Sequence, residues 1–88
     1  MYYVYLLYSQ SADETYCGAT NDLKRRITEH QSGSQQSTAH ASDWEVIYYE
    51  AYRSEEDARR RESKLKQYGS SYGHLKKRIS GSLDMIKD

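Results

Sequence analysis

Residues 1–8 read MYYVYLLY, and this opening stretch decides how the rest of the chain is interpreted. Every position is apolar or aromatic, and these residue types favour a β-strand. A strand with one face in water alternates apolar with polar residues, and this stretch shows no such alternation. We therefore expect a strand that the rest of the fold covers on both faces.

The segments that follow predict a β-hairpin. The polar stretch SQSADE is turn chemistry, and residues 15–18 form a short second strand. If residues 8 and 13 close the loop, Tyr5 falls directly opposite Tyr16 in an antiparallel pair. This register predicts two neighbouring phenols on one face of the sheet.

A first helix follows the hairpin. Either Thr20 or Asn21 can cap it, the helix runs to about Gln31, and Gly33 ends it. The Ser-, Gln-, Thr- and His-rich stretch at 32–42 has no periodicity, so we expect a mobile loop there.

The second half of the chain predicts one strand and two helices. WEVIYYEAY at 44–52 is the third strand. Ser54, with Asp57 three residues on, resembles a capping box and opens a second helix that runs to about Tyr68. A third helix is expected at 71–80. Its inward face would carry three residues: Tyr72, Leu75 and Ile79.

The predicted order is β-β-α-β-α-α, an α/β (α+β) domain with a three-stranded antiparallel sheet flanked by about three helices. One domain would occupy residues 1–80, with a tail at 81–88. The 88 residues are 36% hydrophobic and 30% charged, which is typical of a soluble globular chain rather than a disordered one. No apolar run approaches the length of a membrane span, so we expect a cytoplasmic protein. The oligomeric state stays open.

The net charge is zero, but the charges are unevenly distributed. Residues 53–80 hold nine Lys or Arg against four Asp or Glu. Such a local basic surface can dock phosphates with salt-sensitive affinity. The single cysteine, Cys17, excludes an internal disulfide framework and a multi-cysteine zinc site.

Charged residues occupy inward positions of both longer helices. Leu23 and Ile27 define the apolar stripe of the first helix, and Arg26 and His30 lie on the same stripe. In the second helix Glu62 lies on the stripe in the same way, four residues after one apolar position and three before the next. One explanation is structural: these side chains snorkel, or Arg26 and Glu62 form an ion pair between the helices.

The functional explanation is phosphodiester hydrolysis. An arginine fork fits phosphate oxygens, and a carboxylate can hold a hard cation such as Mg²⁺. A tyrosine or histidine within hydrogen-bond reach can move the proton.

Four segments together resemble the GIY-YIG nuclease superfamily, most closely its small stand-alone bacterial members. They are VYL at 4–6, YCG at 16–18, N-D-L-K-R-R-I-x-x-H at 21–30 and A-R-R-R-E-S-x-L-K at 58–66. The resemblance covers roughly residues 2–79 in the expected order. It implies a three-stranded antiparallel sheet flanked by helices, and a DNA endonuclease that uses one divalent metal ion, Mg²⁺ or Mn²⁺.

The resemblance also implies roles for five residues. Tyr5 and Tyr16 match the motif tyrosines and would share the hydrogen bonding of the attacking water. Arg26 matches the catalytic arginine, His30 a histidine of the proton-transfer network, and Glu62 the metal ligand. The remaining expected site residues are substrate contacts: Gly18, Lys24, Arg25, Arg61 and Lys66.

Two departures from the family pattern stand out. Tyr3 replaces the first-motif glycine, and Cys17 replaces the second-motif isoleucine. The loop before the third strand lacks the Lys or Arg of some relatives, which bears on substrate affinity. Larger members depend on separate DNA-recognition domains, so we expect either a cutting module with little intrinsic sequence specificity or one that acts with a protein partner. Two other functions stay open. One is a non-catalytic nucleic-acid-binding module of the same fold, and the other is a protein-interaction domain with an aromatic contact patch.

Overall fold

The fold is a three-stranded antiparallel sheet with helices on both faces. The computed structural model describes the backbone of residues 1–67 and 69–87 and the side chains of residues 1–67 and 73–85. The strands lie in the order β2-β1-β3. Their bounds are β1 (Tyr2–Ser9), β2 (Glu14–Thr20) and β3 (Trp44–Tyr52). The helices are α1 (Leu23–Ser32), α2 (Glu55–Gln67), α3 (Gly69–Arg78) and α4 (Ser80–Lys87).

The central position of β1 explains its unbroken apolar sequence. Val4, Leu6 and Tyr8 point to one face and pack against α2 and α3. Tyr5 and Leu7 point to the other face, where α1 covers them. The expectation of a strand covered on both faces is confirmed, because β1 is the middle strand and helices lie above and below it.

The hairpin register differs from the predicted one. Tyr5 pairs with Gly18, and Tyr16 pairs with Leu7, so Tyr5 and Tyr16 are not directly opposite. The reason is the turn, which is closed by Ser9 and Glu14 and passes through a left-handed Asp13 (φ 50°). The predicted and observed registers differ by two residues, which leaves every side chain on its predicted face.

Helix α1 begins one residue later than predicted. Its N-cap is Asp22, not Thr20 or Asn21, because the Asp22 carboxylate accepts a hydrogen bond from the Arg25 backbone N–H at 3.1 Å. Gly33 ends the helix as expected, with φ of 80° in the left-handed region that suits glycine.

The stretch predicted to be a mobile loop carries structure of its own. Gln36–Thr38 form a short 3₁₀ turn, and Thr38 is buried. The indole N–H of Trp44 donates to the Thr38 carbonyl at 3.0 Å. Hydrogen bonds that involve side chains hold this segment in place, and hydrophobic periodicity in the sequence does not predict such bonds.

The C-terminal part adds a helix that was not expected. Ser54 caps α2 as predicted, because its hydroxyl accepts the Asp57 N–H at 3.3 Å. Residues predicted as a tail form α4, and its Leu83 packs against the core beside Ile79. Leu75 is buried as predicted. Tyr68 and the Tyr72 side chain lie outside the described residues. Within the described part of the chain, no helix is long and apolar enough to cross a membrane.

Candidate active site

The two tyrosines of the hairpin lie on the α1 face of the sheet with their ring centroids 6.3 Å apart. Gly18 makes this arrangement possible. A Cβ built on Gly18 would lie 2.5 Å from the Tyr5 hydroxyl oxygen and 3.0 Å from the Tyr16 ring. Any larger residue at this position therefore displaces Tyr5. The group that approaches the glycine closely in this structure is a side chain of the protein itself.

A buried hydrogen-bonded chain extends from Tyr5 into the protein. The Tyr5 hydroxyl lies 2.8 Å from Nε2 of His30, and Nδ1 of His30 lies 2.7 Å from the Thr38 hydroxyl. The Thr38 hydroxyl reaches the Gln35 carbonyl at 3.4 Å. This chain is consistent when Tyr5 donates to Nε2 and Nδ1 donates to Thr38. We call Tyr5, His30 and Thr38 the α1-face relay.

Burial keeps the relay neutral. Tyr5 and His30 are both 0% exposed. Desolvation lowers the pKa of His30, helped by the nearby Arg26 charge, so the imidazole stays uncharged near neutral pH. Desolvation likewise raises the pKa of Tyr5, so its phenolate is disfavoured. The relay can accept or pass a proton, but Tyr5 is a poor base by itself.

Tyr16 is the more accessible of the two phenols. It is half-buried, and its ring packs against His30 with centroids 4.8 Å apart. Strand β2 is an edge strand, so Tyr16 lies where an incoming ligand can reach it. Tyr16 thus separates the buried relay from the outside of the domain.

Arg26 lies beside a cleft of about 260 Å³ between the end of β2 and helix α2. Its Nε is 3.1 Å from Oε1 of Glu29, close enough for charge attraction. The buried Nε–H nevertheless has no hydrogen-bond acceptor among the described residues. The short distance and the missing hydrogen bond are compatible when the Nε–H bond points away from Glu29. The two charges then attract each other, but no hydrogen bond forms between them. A buried donor of this kind favours binding of an anion.

Glu62 lies on α2 at the Tyr16 side of the molecule. Its carboxylate is 3.1 Å from Nζ of Lys66, and that ammonium lies 5.7 Å from the centre of the Tyr16 ring. The side chain of Glu62 is 21% exposed. The ion pair between Arg26 and Glu62, considered as a structural explanation, does not form. Arg26 pairs with Glu29, and Glu62 pairs with Lys66.

The other expected substrate contacts are dispersed. Lys24 lines a separate groove with Tyr3 and Tyr49, and Arg25 is an exposed residue of the first turn of α1. Arg61 lies on the α2 face, where its guanidinium donates to both oxygens of Glu50 at 3.0 and 3.2 Å. The structure therefore brings four of the expected residues into one contact group: Tyr5, Gly18, Tyr16 and His30. Lys66 and Glu62 lie at the edge of this group, and Arg61 lies outside it.

The Glu50 carboxylate is the centre of a second polar network. It accepts hydrogen bonds from the Tyr48 and Tyr52 hydroxyls as well as from Arg61. These bonds, with the Arg61 charge, hold the pKa of Glu50 below its usual value, although burial alone would raise it. We call Tyr48, Glu50, Tyr52 and Arg61 the α2-face cluster.

The residues present fit a weakly held divalent ion. Within the described residues, no group of three His, Cys, Asp or Glu side chains could hold a metal. Glu62 offers a single carboxylate. Mg²⁺ is commonly held by one or two carboxylates, with water and substrate phosphate oxygens as its other ligands. Glu62 suits such an ion when nucleic acid supplies the remaining ligands.

The family to which the chain belongs defines a nuclease-type domain. The chain belongs to the GIY-YIG family, since the model of the GIY-YIG catalytic domain matches residues 1–77. GIY-YIG nucleases are generally dependent on divalent metal ions. No curated protein and no solved structure matches the chain significantly.

Two residues of the site escaped the sequence analysis. Thr38 completes the relay from a segment without periodicity, so no pattern marked it. Glu29 contacts Arg26 and is itself held by the side-chain amide of Gln35 at 3.2 Å. Glu29 lies three residues after Arg26, and this spacing is the one signal that was present.

Proposed function

We propose that this chain is a metal-dependent endonuclease that hydrolyses phosphodiester bonds of DNA at the edge of β2. The observation that carries the proposal is Arg26, which lines the cleft between the end of β2 and helix α2 and whose buried Nε–H has no acceptor among the described residues. A phosphate oxygen would satisfy it, and the planar guanidinium suits the charge that develops on phosphorus during hydrolysis.

Tyr16 would orient the attacking water from the open side of the sheet. The relay behind it supports proton transfer without forming a phenolate. In the tautomer with its proton on Nδ1, neutral His30 can accept at Nε2, so a proton that reaches the Tyr5 oxygen would release the phenolic proton onto that nitrogen. The raised pKa of Tyr5 is then no obstacle, because Tyr5 passes a proton rather than losing one.

Glu62 would hold one divalent ion, Mg²⁺ or Mn²⁺, and the ion would supply a positive charge to the phosphate and leaving oxygens. Glu62 can serve as its protein ligand because the carboxylate is partly exposed and lies on the Tyr16 side of α2. A protein partner would supply sequence or structure specificity, since the loop before β3 has no Lys or Arg to grip a duplex.

The test is cleavage of labelled DNA and RNA, as single strands, duplexes, flaps and branches, at low salt. Mg²⁺ and Mn²⁺ are compared with chelator. We expect metal-dependent cutting that disappears in Glu62→Gln and Arg26→Ala. Glu56→Gln and Arg60→Ala are matched controls, because they remove the same charges from the exposed face of α2. Binding without cutting, unchanged by Glu62→Gln, would instead identify a binding module.

A further inference from the structure

Three carboxylates of α2 pair with a cation four residues further on, and the pair of Glu62 with Lys66 differs from the other two. Glu55 and Glu56 pair with arginines on the open helix face, and their side chains are 46% and 82% exposed. Glu62 is 21% exposed. A partly desolvated carboxylate feels a neighbouring charge more strongly, because less water screens it.

Lys66 is held by a second contact that surface lysines rarely have. Its ammonium lies 5.7 Å from the centre of the Tyr16 ring, within the range of a cation–π interaction. The lysine therefore bridges the proposed metal ligand and the accessible phenol. Its side chain is 49% exposed, so the ammonium can move into water at small cost when another cation takes its place.

We propose that Lys66 is an internal competitor of the divalent ion for Glu62. This inference rests on the proposed function, in which Glu62 is the metal ligand. In the free protein the ammonium neutralises the carboxylate at 3.1 Å, and a metal ion must displace it. Nucleic acid favours that exchange in two ways: its phosphates add ligands to the ion, and they offer the released ammonium a new partner. Lys66 thereby restricts metal loading to the protein bound to substrate.

The consequence is a defined effect on metal affinity. Replacing Lys66 with methionine leaves an unbranched apolar side chain, one heavy atom shorter than that of lysine, and removes the charge. We expect Lys66→Met to bind Mn²⁺ about tenfold more tightly in the absence of nucleic acid, since a like charge a few ångströms from the ion is removed. Lys64→Met is the matched control: it removes the same charge from an exposed position on the same helix, and we expect less than about a twofold change.

The experiment is titration of the full chain with Mn²⁺, followed by the electron paramagnetic resonance signal of the free ion. Wild type, Lys66→Met, Lys66→Gln, Lys64→Met and Glu62→Gln are compared, and circular dichroism verifies that each is folded. We expect tighter Mn²⁺ binding in the two Lys66 variants and in no other protein. We expect this gain to disappear when Glu62→Gln is combined with either Lys66 variant. Binding by Lys66→Met equal to or weaker than wild type overturns the competition while leaving Glu62 as ligand.

A failure of the proposed function looks different in the same titration. If Glu62→Gln binds Mn²⁺ as wild type does, both with and without an uncleavable phosphorothioate DNA, then Glu62 is not the metal ligand. In that case the assignment of the metal to Glu62 falls, and the role of Lys66 falls with it. A further outcome is that no protein binds Mn²⁺ without DNA, Lys66→Met included, while DNA restores binding that depends on Glu62. This outcome overturns the competition by Lys66 and leaves Glu62 as the metal ligand.

Discussion

The α1-face relay is a buried polar network and the α2-face cluster a half-buried one, on opposite faces of one small sheet, and they differ in charge and in completeness. The cluster is charged and closed, because the Glu50 carboxylate accepts from two tyrosine hydroxyls and from Arg61. The relay is neutral and open at one end. Its Tyr5 hydroxyl lies against Gly18, and the Tyr5 ring lies beside Tyr16, which belongs to the edge strand β2.

This difference separates stability from chemistry. A network whose charges are paired with each other links α2 to β3. An open network of neutral groups contributes less to folding, but its protons can move. The two arginines show the same contrast: Arg61 donates through Nε and Nη2 to Glu50, whereas the buried Nε–H of Arg26 has no acceptor in the part of the chain that the structure describes.

The largest expected effect is on Arg26. Arg26→Ala should lower the single-turnover cleavage rate by about 10²–10³-fold, the scale of losing one donor to transition-state charge. Arg26→Lys should restore little, because an ammonium lacks the planar fork. Arg61→Ala is the control from the closed network. It should leave the cleavage rate within about threefold below its melting temperature, on the account that Arg61 serves folding. An equal loss of cleavage rate in Arg26→Ala and Arg61→Ala would contradict the distinction between the two networks.

Glu50→Ala should cost about 2–3 kcal/mol of unfolding free energy, because it leaves the Arg61 charge and two half-buried hydroxyls without their acceptor. Urea unfolding followed by circular dichroism measures it. Glu56→Ala is the control, since Glu56 is 82% exposed, and its effect should stay within about 0.5 kcal/mol. A Glu50→Ala protein as stable as the control would show that the cluster is not structural.

Thr38 sharpens the account of the relay. Thr38→Val removes the hydroxyl partner of His30 Nδ1 while keeping the side-chain shape, so the imidazole is no longer held in one tautomer. We expect about a tenfold lower cleavage rate and about 1 kcal/mol lower stability. Thr38→Ser should retain the rate. Nitrogen NMR shifts of His30 report the tautomer directly, and an unchanged tautomer in Thr38→Val would remove Thr38 from the relay.

The two networks should also respond to acid in different pH ranges. The pKa of His30 is held below 6.5 by burial, so its contribution to stability is complete above pH 6.5 and is lost as the pH falls through the folded-state pKa. The pKa of Glu50 is held below 4.5, so its contribution is complete above pH 4.5 and is lost at lower pH. Unfolding free energies measured across pH should lose the upper step in His30→Gln and the lower step in Glu50→Gln. A variant that changes neither step contradicts the corresponding assignment.

Much of the fold and part of the site follow from the sequence. The unbroken apolar run of residues 1–8 predicted a doubly covered strand, and β1 is the central strand. Helical spacing marked Arg26, His30 and Glu62 as polar residues in apolar positions, and the structure places them around the α1 face and the β2 edge. Spacing marks these residues because each one breaks a regular pattern that its own helix establishes.

The remainder depends on contacts between distant segments. The hairpin register was wrong because the turn uses a left-handed Asp13, which a hydrophobic pattern does not reveal. Arg61 was expected at the substrate, yet its partner Glu50 lies eleven residues earlier on another element. Thr38 was missed because a loop residue acquires its role from the side chain that folds onto it. Charge and periodicity in the sequence indicate which face of a helix or strand is buried, but they do not indicate which residues of another element that face contacts.

The most direct test compares two tyrosines that lose only a hydroxyl. Cleavage rate and unfolding free energy are measured together for Tyr16→Phe, at the open edge beside the relay, and for Tyr48→Phe, in the closed cluster. We predict that Tyr16→Phe loses about 100-fold or more in rate at unchanged stability. Tyr48→Phe should keep its rate and lose about 1 kcal/mol of stability. A Tyr16→Phe protein that cuts DNA at the wild-type rate would contradict the assignment of chemistry to this edge of the sheet.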